Sequence, residues 1–137
     1  MAGPIQHVND YGKGWRNRLK QDFPGIDWVD PLEKYNNQQS VDDINAEWSD
    51  EQIVDEDLEL IKSCDAVLVH WQEVPSCGTP MEIVYAREMY HIPVIVQTTV
   101  EDPSPWLTAH ANAVVPTFHG AVEAIIDHVD PVQSAYQ

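Results

Sequence analysis

DAVLVHWQEVPSCGTPMEIVYAREMYHIPVIV, residues 65–96, is the stretch of sequence that decides the fold. It contains two apolar runs, 66–71 and 92–96, whose β-branched residues are typical of buried parallel strands. Parallel strands need a crossover connection, and the apolar residues over 81–89 recur at helical spacing between the two runs. We therefore interpret the stretch as a strand, a polar loop, a helix and a second strand.

The loop 72–80 and the start of this helix carry the first candidate site. In open α/β sheets ligands bind at the carboxyl ends of the strands, where this loop lies. Ser76, Gly78 and Thr79 offer small side chains and backbone N–H groups that could close around a ligand. Glu82, in the first turn, either complements the helix dipole or faces the pocket as an ionised nucleophile.

The rest of the chain predicts further elements of the same α/β kind. Residues 32–50 lack a clear period and predict a long loop over the site, in which Tyr35 and Trp48 either stack on a base or pin the loop to the core. The remaining predicted elements are a helix over 13–23, a short strand over 26–29, a helix over about 50–63, a helical turn from 106, a weak strand over 113–115 and a helix over 118–129.

The charge of the chain limits its partners. The net charge is −16, with 23 acidic residues against 7 Lys and Arg, which argues against binding to a nucleic-acid backbone. Free nucleosides or nucleotides remain compatible, because a local cluster of amides can bind an anion inside an acidic shell. The same balance is typical of a protein from a high-salt cytoplasm, where counterions screen self-repulsion, although an acidic mesophilic protein fits it too.

Other features exclude several classes of site. Cys64 and Cys77 have neither CxxC spacing nor a secretory context, so we expect no disulfide. The six histidines are scattered without an HExxH pair, so we expect no metal or cofactor. No signal peptide is seen, and no apolar run approaches the roughly 18 residues of a membrane span. We expect a single soluble domain over 1–137 in the cytoplasm.

Several segments resemble one known family, the nucleoside 2-deoxyribosyltransferases and their N-glycosidase relatives. The most specific is SCGTPMEIVYA, which holds a GTxxEIxYA pattern, together with the spacing of Asp57, Asp65 and Glu82. The segments that carry the resemblance are AGPI at 2–5, GWR at 14–16, DP at 30–31, IVDEDLELIKSCDAVLV at 53–69, SCGTPMEIVYA at 76–86 and PVIV at 93–96. The resemblance implies a flavodoxin- or Rossmann-like three-layer α/β sandwich with a parallel sheet of about five strands.

The resemblance also implies a chemistry. In that family the glutamate of GTxxEI attacks the anomeric carbon of a 2-deoxyribosyl donor, which makes Glu82 the nucleophile. A retaining glycosyl transfer needs one carboxylate to trap an oxocarbenium-like centre and an acid near the leaving group. Asp57 matches the aspartate that handles the nucleobase and its proton, although the acidic run 55–59 is also typical of a solvated helix face.

The remaining implied site residues bind substrate. Gly3 and Pro4 belong to a loop that faces the sugar or its phosphate. Asp65 either orients the neighbouring loop or touches substrate. Asn112, six residues after Trp106, resembles an asparagine that reaches the sugar site of a neighbouring subunit, and an ordinary turn asparagine is the alternative. The resemblance implies a homodimer or a higher homo-oligomer.

Two departures from the family pattern leave the reaction open. Ser76 stands where the transferases carry an aspartate that binds the sugar 5′-hydroxyl, and a serine there resembles the relatives that hydrolyse deoxynucleoside 5′-monophosphates. Serine is also a common turn residue. The apolar first strand of the family is absent before Ala2, which indicates a truncated or misassigned start, or a sheet one strand short. We expect residues 2–7 to form the loop that follows this strand.

Four functions follow as hypotheses. The first is a deoxyribosyltransferase that moves the sugar of a 2-deoxyribonucleoside to another base. The second is a deoxynucleoside 5′-monophosphate N-hydrolase, and the third is a non-catalytic nucleotide-binding module. The fourth is an acidic interaction protein that binds a basic partner in a salt-sensitive way without needing Glu82. The sequence does not decide whether the substrate carries a purine or a pyrimidine base, because that choice depends on the loop 32–50 and on the first strand.

Overall fold

A computed structural model of the chain describes residues 1–3, 12–35 and 48–129, with the side chains of residues 34 and 35 excepted. Pro4, the side chain of Tyr35 and most of the loop expected over 32–50 therefore lie outside the described residues. Trp48 is described and is half-buried.

A parallel sheet lies at the centre of the fold. Its strands are β1 (Val67–His70), β2 (Val94–Gln97) and β3 (Ala113–Val115), paired in that order. Ala2 forms an isolated parallel bridge with Val69 on the other side of β1. The expected parallel α/β sheet is confirmed, but the described residues contain a sheet of three strands rather than about five.

The short strand expected over 26–29 is absent, and the hydrogen bonds explain why. A strand needs a neighbour that offers a continuous ladder of donors and acceptors. Ala2 is bonded instead to β1, through Leu68 O and His70 N. In 26–29, the Val29 carbonyl accepts from the Met1 ammonium at 3.3 Å, which fixes the segment beside the first residue without forming a ladder.

The predicted helices are all present, with small differences at their ends. They are α1 (Lys13–Asp22), α2 (Asp50–Lys62), α3 (Gly78–Val84), α4 (Pro105–His110) and α5 (Phe118–Val129). Two turns were not expected. A 3₁₀ turn covers Pro31–Tyr35, and the Asp30 carboxylate begins it by accepting from Leu32 N at 2.9 Å. A π turn, Tyr85–Met89, continues α3.

Two apolar cores cover the two faces of the sheet, which completes the three-layer sandwich. The core under α2, α3 and α4 contains Ile61, Ile83 and Leu107 together with the odd-numbered valines of β1. The core under α1 and α5 contains Leu19 and Val122 with Leu68 and Ile95. Because both faces are buried, the strands are apolar at successive positions rather than at alternate ones, up to the polar last residues His70 of β1 and Gln97 of β2. Among the described residues, no helix combines the length and the apolar character needed to cross a membrane.

Candidate active site

The start of α3 is fixed by the loop that follows β1. The Ser76 hydroxyl accepts from Thr79 N–H at 3.3 Å and donates to Thr79 Oγ1 at 3.0 Å. These bonds satisfy part of the first helical turn, which has no intrahelical partners of its own. Thr79 and Ile83 are buried and anchor α3 on the sheet. Ser76 thus has a defined structural role, as a turn residue would.

Glu82 points back along α3 towards its first residue. Helical side chains tilt towards the N-terminus, and a methyl group on Gly78 would lie 3.6 Å from Glu82 Oε1 with no other atom within 4 Å. Gly78 is exposed and Glu82 is half-buried. The carboxylate therefore lies beside the helix start.

Asp57 reaches the same place from α2. Ser49 and Gln52 form a capping box that sets the first turn of this helix, and Asp57 follows two turns later. Asp57 and Glu82 line one small cavity, of about 30 Å³, whose other walls include Ile61 and Cys64.

The acidic run of α2 divides between two environments. Asp57 shares its helix face with Leu60 and Ile61, which line the cavity together with Cys64 just after the helix. The neighbouring acids Asp55, Glu56 and Glu59 are exposed. Most of the run is therefore a solvated face, as its composition indicated, whereas Asp57 is directed to the cavity with Glu82.

Gly3 is held in close contact with two residues of the fold. A Cβ there would lie 2.8 Å from Trp15 Cζ2 and 3.1 Å from the His70 carbonyl oxygen. Its own carbonyl accepts from Arg16 Nη2 at 3.3 Å. A glycine is therefore required at this position by packing, whatever else it binds.

The sequence model of one protein family, described as nucleoside 2-deoxyribosyltransferase, matches residues 1–126 of the chain. The chain belongs to this family. No curated protein and no solved structure matches it. The match includes both helices that carry the cavity carboxylates, and the small-molecule substrates of this deoxyribosyltransferase family are nucleosides.

Asp65 does not line the cavity that contains Asp57 and Glu82, although its neighbours Cys64 and Ala66 do. It is exposed just before β1, at the end of the strand opposite to the loop that contains Ser76. It borders an adjoining groove, which shares Cys64 and Ala66 with the cavity.

Asn112 joins two strands of the sheet. Its Oδ1 accepts from Val94 N and from Arg87 Nη1, both at 2.9 Å. Its backbone N–H donates to the Val94 carbonyl at 2.7 Å. Asn112 thus holds the start of β2 beside the start of β3, the role of a structural turn asparagine in this subunit.

A buried ion pair was missed by sequence reasoning. Arg16 is 1% exposed, donates to Gly12 O at 2.8 Å and places Nε 3.9 Å from Asp30 Oδ1. Lys20 Nζ lies 2.6 Å from the other oxygen of Asp30. Burial acts to lower the pKa of Lys20. The hydrogen bonds to Asp30 and Glu33 act in the opposite direction and together are stronger, so the pKa of Lys20 is raised. The one available signal was that GWR and DP both belong to the family-like segments.

His70 is the second missed residue, at the carboxyl end of β1. Gln97 Nε2 donates to the Pro116 carbonyl, so Gln97 Oε1 accepts from His70 Nδ1 and His70 Nε2 accepts from Gln72. Burial is the main cause of the lowered pKa of His70. The hydrogen bond to Gln97 acts to raise the pKa, and the positive charge of Arg16 lowers it further. The ring lies on the α1–α5 face of the sheet, between Trp15 and Phe118.

Proposed function

We propose that this protein cleaves the N-glycosidic bond of 2-deoxyribonucleosides and transfers the sugar to another base, with Glu82 as the nucleophile. The observation that carries the proposal is the cavity shared by Glu82 and Asp57, which come from separate helices. Membership of the deoxyribosyltransferase family supports it. Asp57 and Glu82 supply the two acidic groups that a retaining transfer requires.

In the first half-reaction a Glu82 oxygen bonds to C1′ of the sugar. The bond between C1′ and the base nitrogen breaks, and its electron pair leaves with the base. Asp57 donates a proton to the departing base, as a general acid near the leaving group. A glycosyl ester of Glu82 remains.

In the second half-reaction a nitrogen of the acceptor base attacks C1′ from the side that the first base left. The bond between C1′ and Glu82 breaks, the carboxylate is restored, and Asp57 takes the proton of the acceptor. Two inversions give net retention at C1′. Water in place of the acceptor base gives hydrolysis through the same intermediate.

Ser76 supports a second candidate, hydrolysis of deoxynucleoside 5′-monophosphates. Its hydroxyl is neutral, half-buried and hydrogen-bonded at the start of α3. An aspartate at this position would repel a 5′-phosphate, whereas a hydroxyl and nearby backbone N–H groups can donate hydrogen bonds to its oxygens. We infer that the substrate choice between nucleosides and their monophosphates depends on this residue.

Product analysis by liquid chromatography tests both candidates. The protein is incubated in high and in low salt with a panel of deoxynucleosides and their 5′-monophosphates, with and without a free acceptor base. A new nucleoside that forms only with the acceptor supports the transferase. Free base and deoxyribose 5-phosphate, formed from monophosphates alone, support the hydrolase. No cleavage of any substrate supports a non-catalytic binding module and overturns the enzyme proposal.

Two variants then test the assigned roles. Glu82→Gln keeps the size of the side chain and removes the nucleophile, so we expect kcat to fall by at least about 1,000-fold. Asp57→Asn should lower kcat by about 100- to 10,000-fold, the usual share of a general acid. Glu88→Gln and Glu59→Gln are the matched controls, because both acids are exposed on the same two helical segments.

The covalent intermediate gives an independent measurement. Intact-protein mass spectrometry of acid-quenched reactions should show one added deoxyribosyl group on the parent chain and none on Glu82→Gln. The same adduct on both proteins would mean that another residue forms the bond.

A further inference from the structure

Polar residues at the end of β2 hold the loop 71–77, which follows β1 and contains Ser76. Gln97 and Thr98 are each 5% exposed, and burial of such polar groups is costly unless they are hydrogen-bonded. Thr98 Oγ1 donates to the Trp71 carbonyl at 2.9 Å, and the Trp71 N–H donates to the Gln97 carbonyl at 2.9 Å. The end of β2 therefore fixes the first residue of this loop.

His70 fixes the second residue of the loop. The Pro116 carbonyl can only accept, and it therefore sets the direction of the hydrogen bonds that run through Gln97 to His70. The proton of the neutral ring is on Nδ1, and Nε2 is an acceptor. Gln72 Nε2 donates to this acceptor across 2.6 Å. A second proton, on Nε2, would make this a contact between two donors, so the bond to Gln72 needs the neutral ring.

The neighbours of His70 hold the ring in place and favour its neutral form. The ring centroids of Trp15 and Phe118 lie 4.9 and 5.1 Å from that of His70. Among the described residues, the charge that acts on the ring is that of Arg16 on α1, and it lowers the pKa of His70 in addition to the larger effect of burial. The groups that contact the ring from β2, α5 and the loop are uncharged: Gln97, Phe118 and Gln72. Because the ring is packed on both sides, loss of the bond frees Gln72 rather than His70.

We infer that neutral His70, acting through Gln72, is a positioning residue that holds the loop 71–77 in place for the reaction. Ser76 fixes the other end of this loop to the first turn of α3, through Thr79. The loop is thus held at both ends, and its position determines where Ser76 and the start of α3 lie relative to the substrate. Protonation of His70 releases one end. The consequence for turnover rests on the proposed function, whereas the effect on the loop does not.

Nuclear magnetic resonance tests the effect on the loop without any need for activity. At about pH 8 the ring nitrogen shifts of His70 should show a protonated Nδ1 and an unprotonated Nε2. On titration to about pH 5 the backbone amide signals of residues 72–79 should shift together with the ring of His70. In His70→Gln they should not shift with it, because a glutamine oxygen near the Nε2 position accepts from Gln72 at any pH. His128→Gln is the matched control: His128 is exposed, its Nδ1 also bonds a carbonyl, that of Ala124, and its loss should leave the loop signals as in the parent.

Kinetics test the consequence for turnover. We compare kcat/KM of the parent, His70→Gln and His70→Leu from about pH 5 to about pH 8. A misplacement of about 1 Å can lower a rate by roughly 100-fold, so His70→Leu, which cannot accept from Gln72, should be at least about 10-fold below the parent at about pH 8, and His70→Gln within about threefold of it. Below the pKa of His70 the parent should lose activity that His70→Gln retains. Titration of Asp57 and Glu82 is common to all three proteins, so the difference between their pH profiles belongs to residue 70.

Circular dichroism checks that each variant is folded, and Gln72→Leu replaces His70→Leu if the latter is not. Loop signals that do not follow the titration of His70 in the parent would overturn the inference, since the Gln72 amide would then have turned over without moving the loop. A His70→Gln pH profile identical to that of the parent, or a folded leucine variant with the activity of the parent, would overturn it as well. A parent chain without activity would overturn the proposed function, and the loop signals alone would then decide the role of His70.

Discussion

Replacing Gly78 with alanine separates the access of substrate to Glu82 from the stability of the fold. The added methyl group would lie 3.6 Å from Glu82 Oε1, with no other atom within 4 Å. That distance is an ordinary van der Waals contact, so no clash arises. Within the described residues the glycine with positive φ is Gly12, so an alanine at 78 keeps a permitted backbone. Alanine in a helix interior is more stable than glycine by roughly 0.5–1 kcal/mol. Gly78 is the first residue of α3, so this value is the upper limit of the gain.

The effect on catalysis has the opposite sign. An attacking oxygen must approach its carbon to about 3–3.5 Å before the bond forms, and a misplacement of about 1 Å can lower the rate by roughly 100-fold. A methyl group in contact with the Glu82 oxygen occupies part of the space where the sugar must lie. We therefore expect kcat/KM to fall by about 100-fold, or about 2.8 kcal/mol, while the free energy of unfolding is unchanged or higher.

The assay combines initial rates by liquid chromatography with urea unfolding followed by circular dichroism. Gly25→Ala is the control, because a Cβ there meets nothing within 4 Å and lies outside the cavity. Unchanged kcat/KM in a folded Gly78→Ala chain would refute the argument that the sugar approaches Glu82 over the first turn of α3. A loss of activity together with a loss of stability would refute the separation of the effect on catalysis from the effect on folding.

Three further outcomes are expected. Gly3→Ala should lower the free energy of unfolding by about 1–3 kcal/mol, because its Cβ would lie 2.8 Å from Trp15 and 3.1 Å from a backbone oxygen; Gly25→Ala, unfolded in the same urea titration, should not. Burial lowers the pKa of His70 from 6.5 and that of the Met1 ammonium from 8.0. Just below each of these pH values the unfolded chain therefore binds more protons than the folded chain, and the free energy of unfolding should rise with pH. The rise below pH 6.5 should be smaller in His70→Gln, and a parent chain whose stability does not change with pH would contradict the prediction. Because of the net charge of −16, the midpoint of thermal unfolding should be higher in molar salt than at about 0.01 M salt, and an unchanged midpoint would exclude screening as a stabilising factor.

Local signals in the sequence predicted most of the elements. The helix over 118–129 has the expected bounds, and the Thr117 hydroxyl begins it by accepting from Gly120 N–H at 3.0 Å. The capping pair of Ser49 and Gln52 similarly sets the start of α2. Each of these contacts joins residues three apart along the chain, so the local sequence contains the information.

The strand count and several site roles depended on contacts between distant residues. The segment 26–29 has the composition of a strand, but the Met1 ammonium takes the Val29 carbonyl. Arg16 and Asp30 meet only because α1 packs against the turn at Pro31. Asn112 bonds to Val94 only because β2 and β3 are neighbours. No periodicity along the chain encodes these pairings.

The candidate nucleophile was predicted from a local motif, whereas the environment of Asp57 was not. The side of α2 that turns inward is set by Ile61, which is packed in the core. This rotation directs Asp57 to the cavity and leaves Glu56 exposed. Two adjacent acids with the same composition around them therefore differ only through the packing of the helix.

The short helix α3 has Glu82 on one side and Met81 and Val84 on the other. It has only 7 residues before the π turn, so a change on its outer side also acts on the turn that holds the carboxylate. Substitutions at Met81 or Val84 should then change kcat as well as the free energy of unfolding.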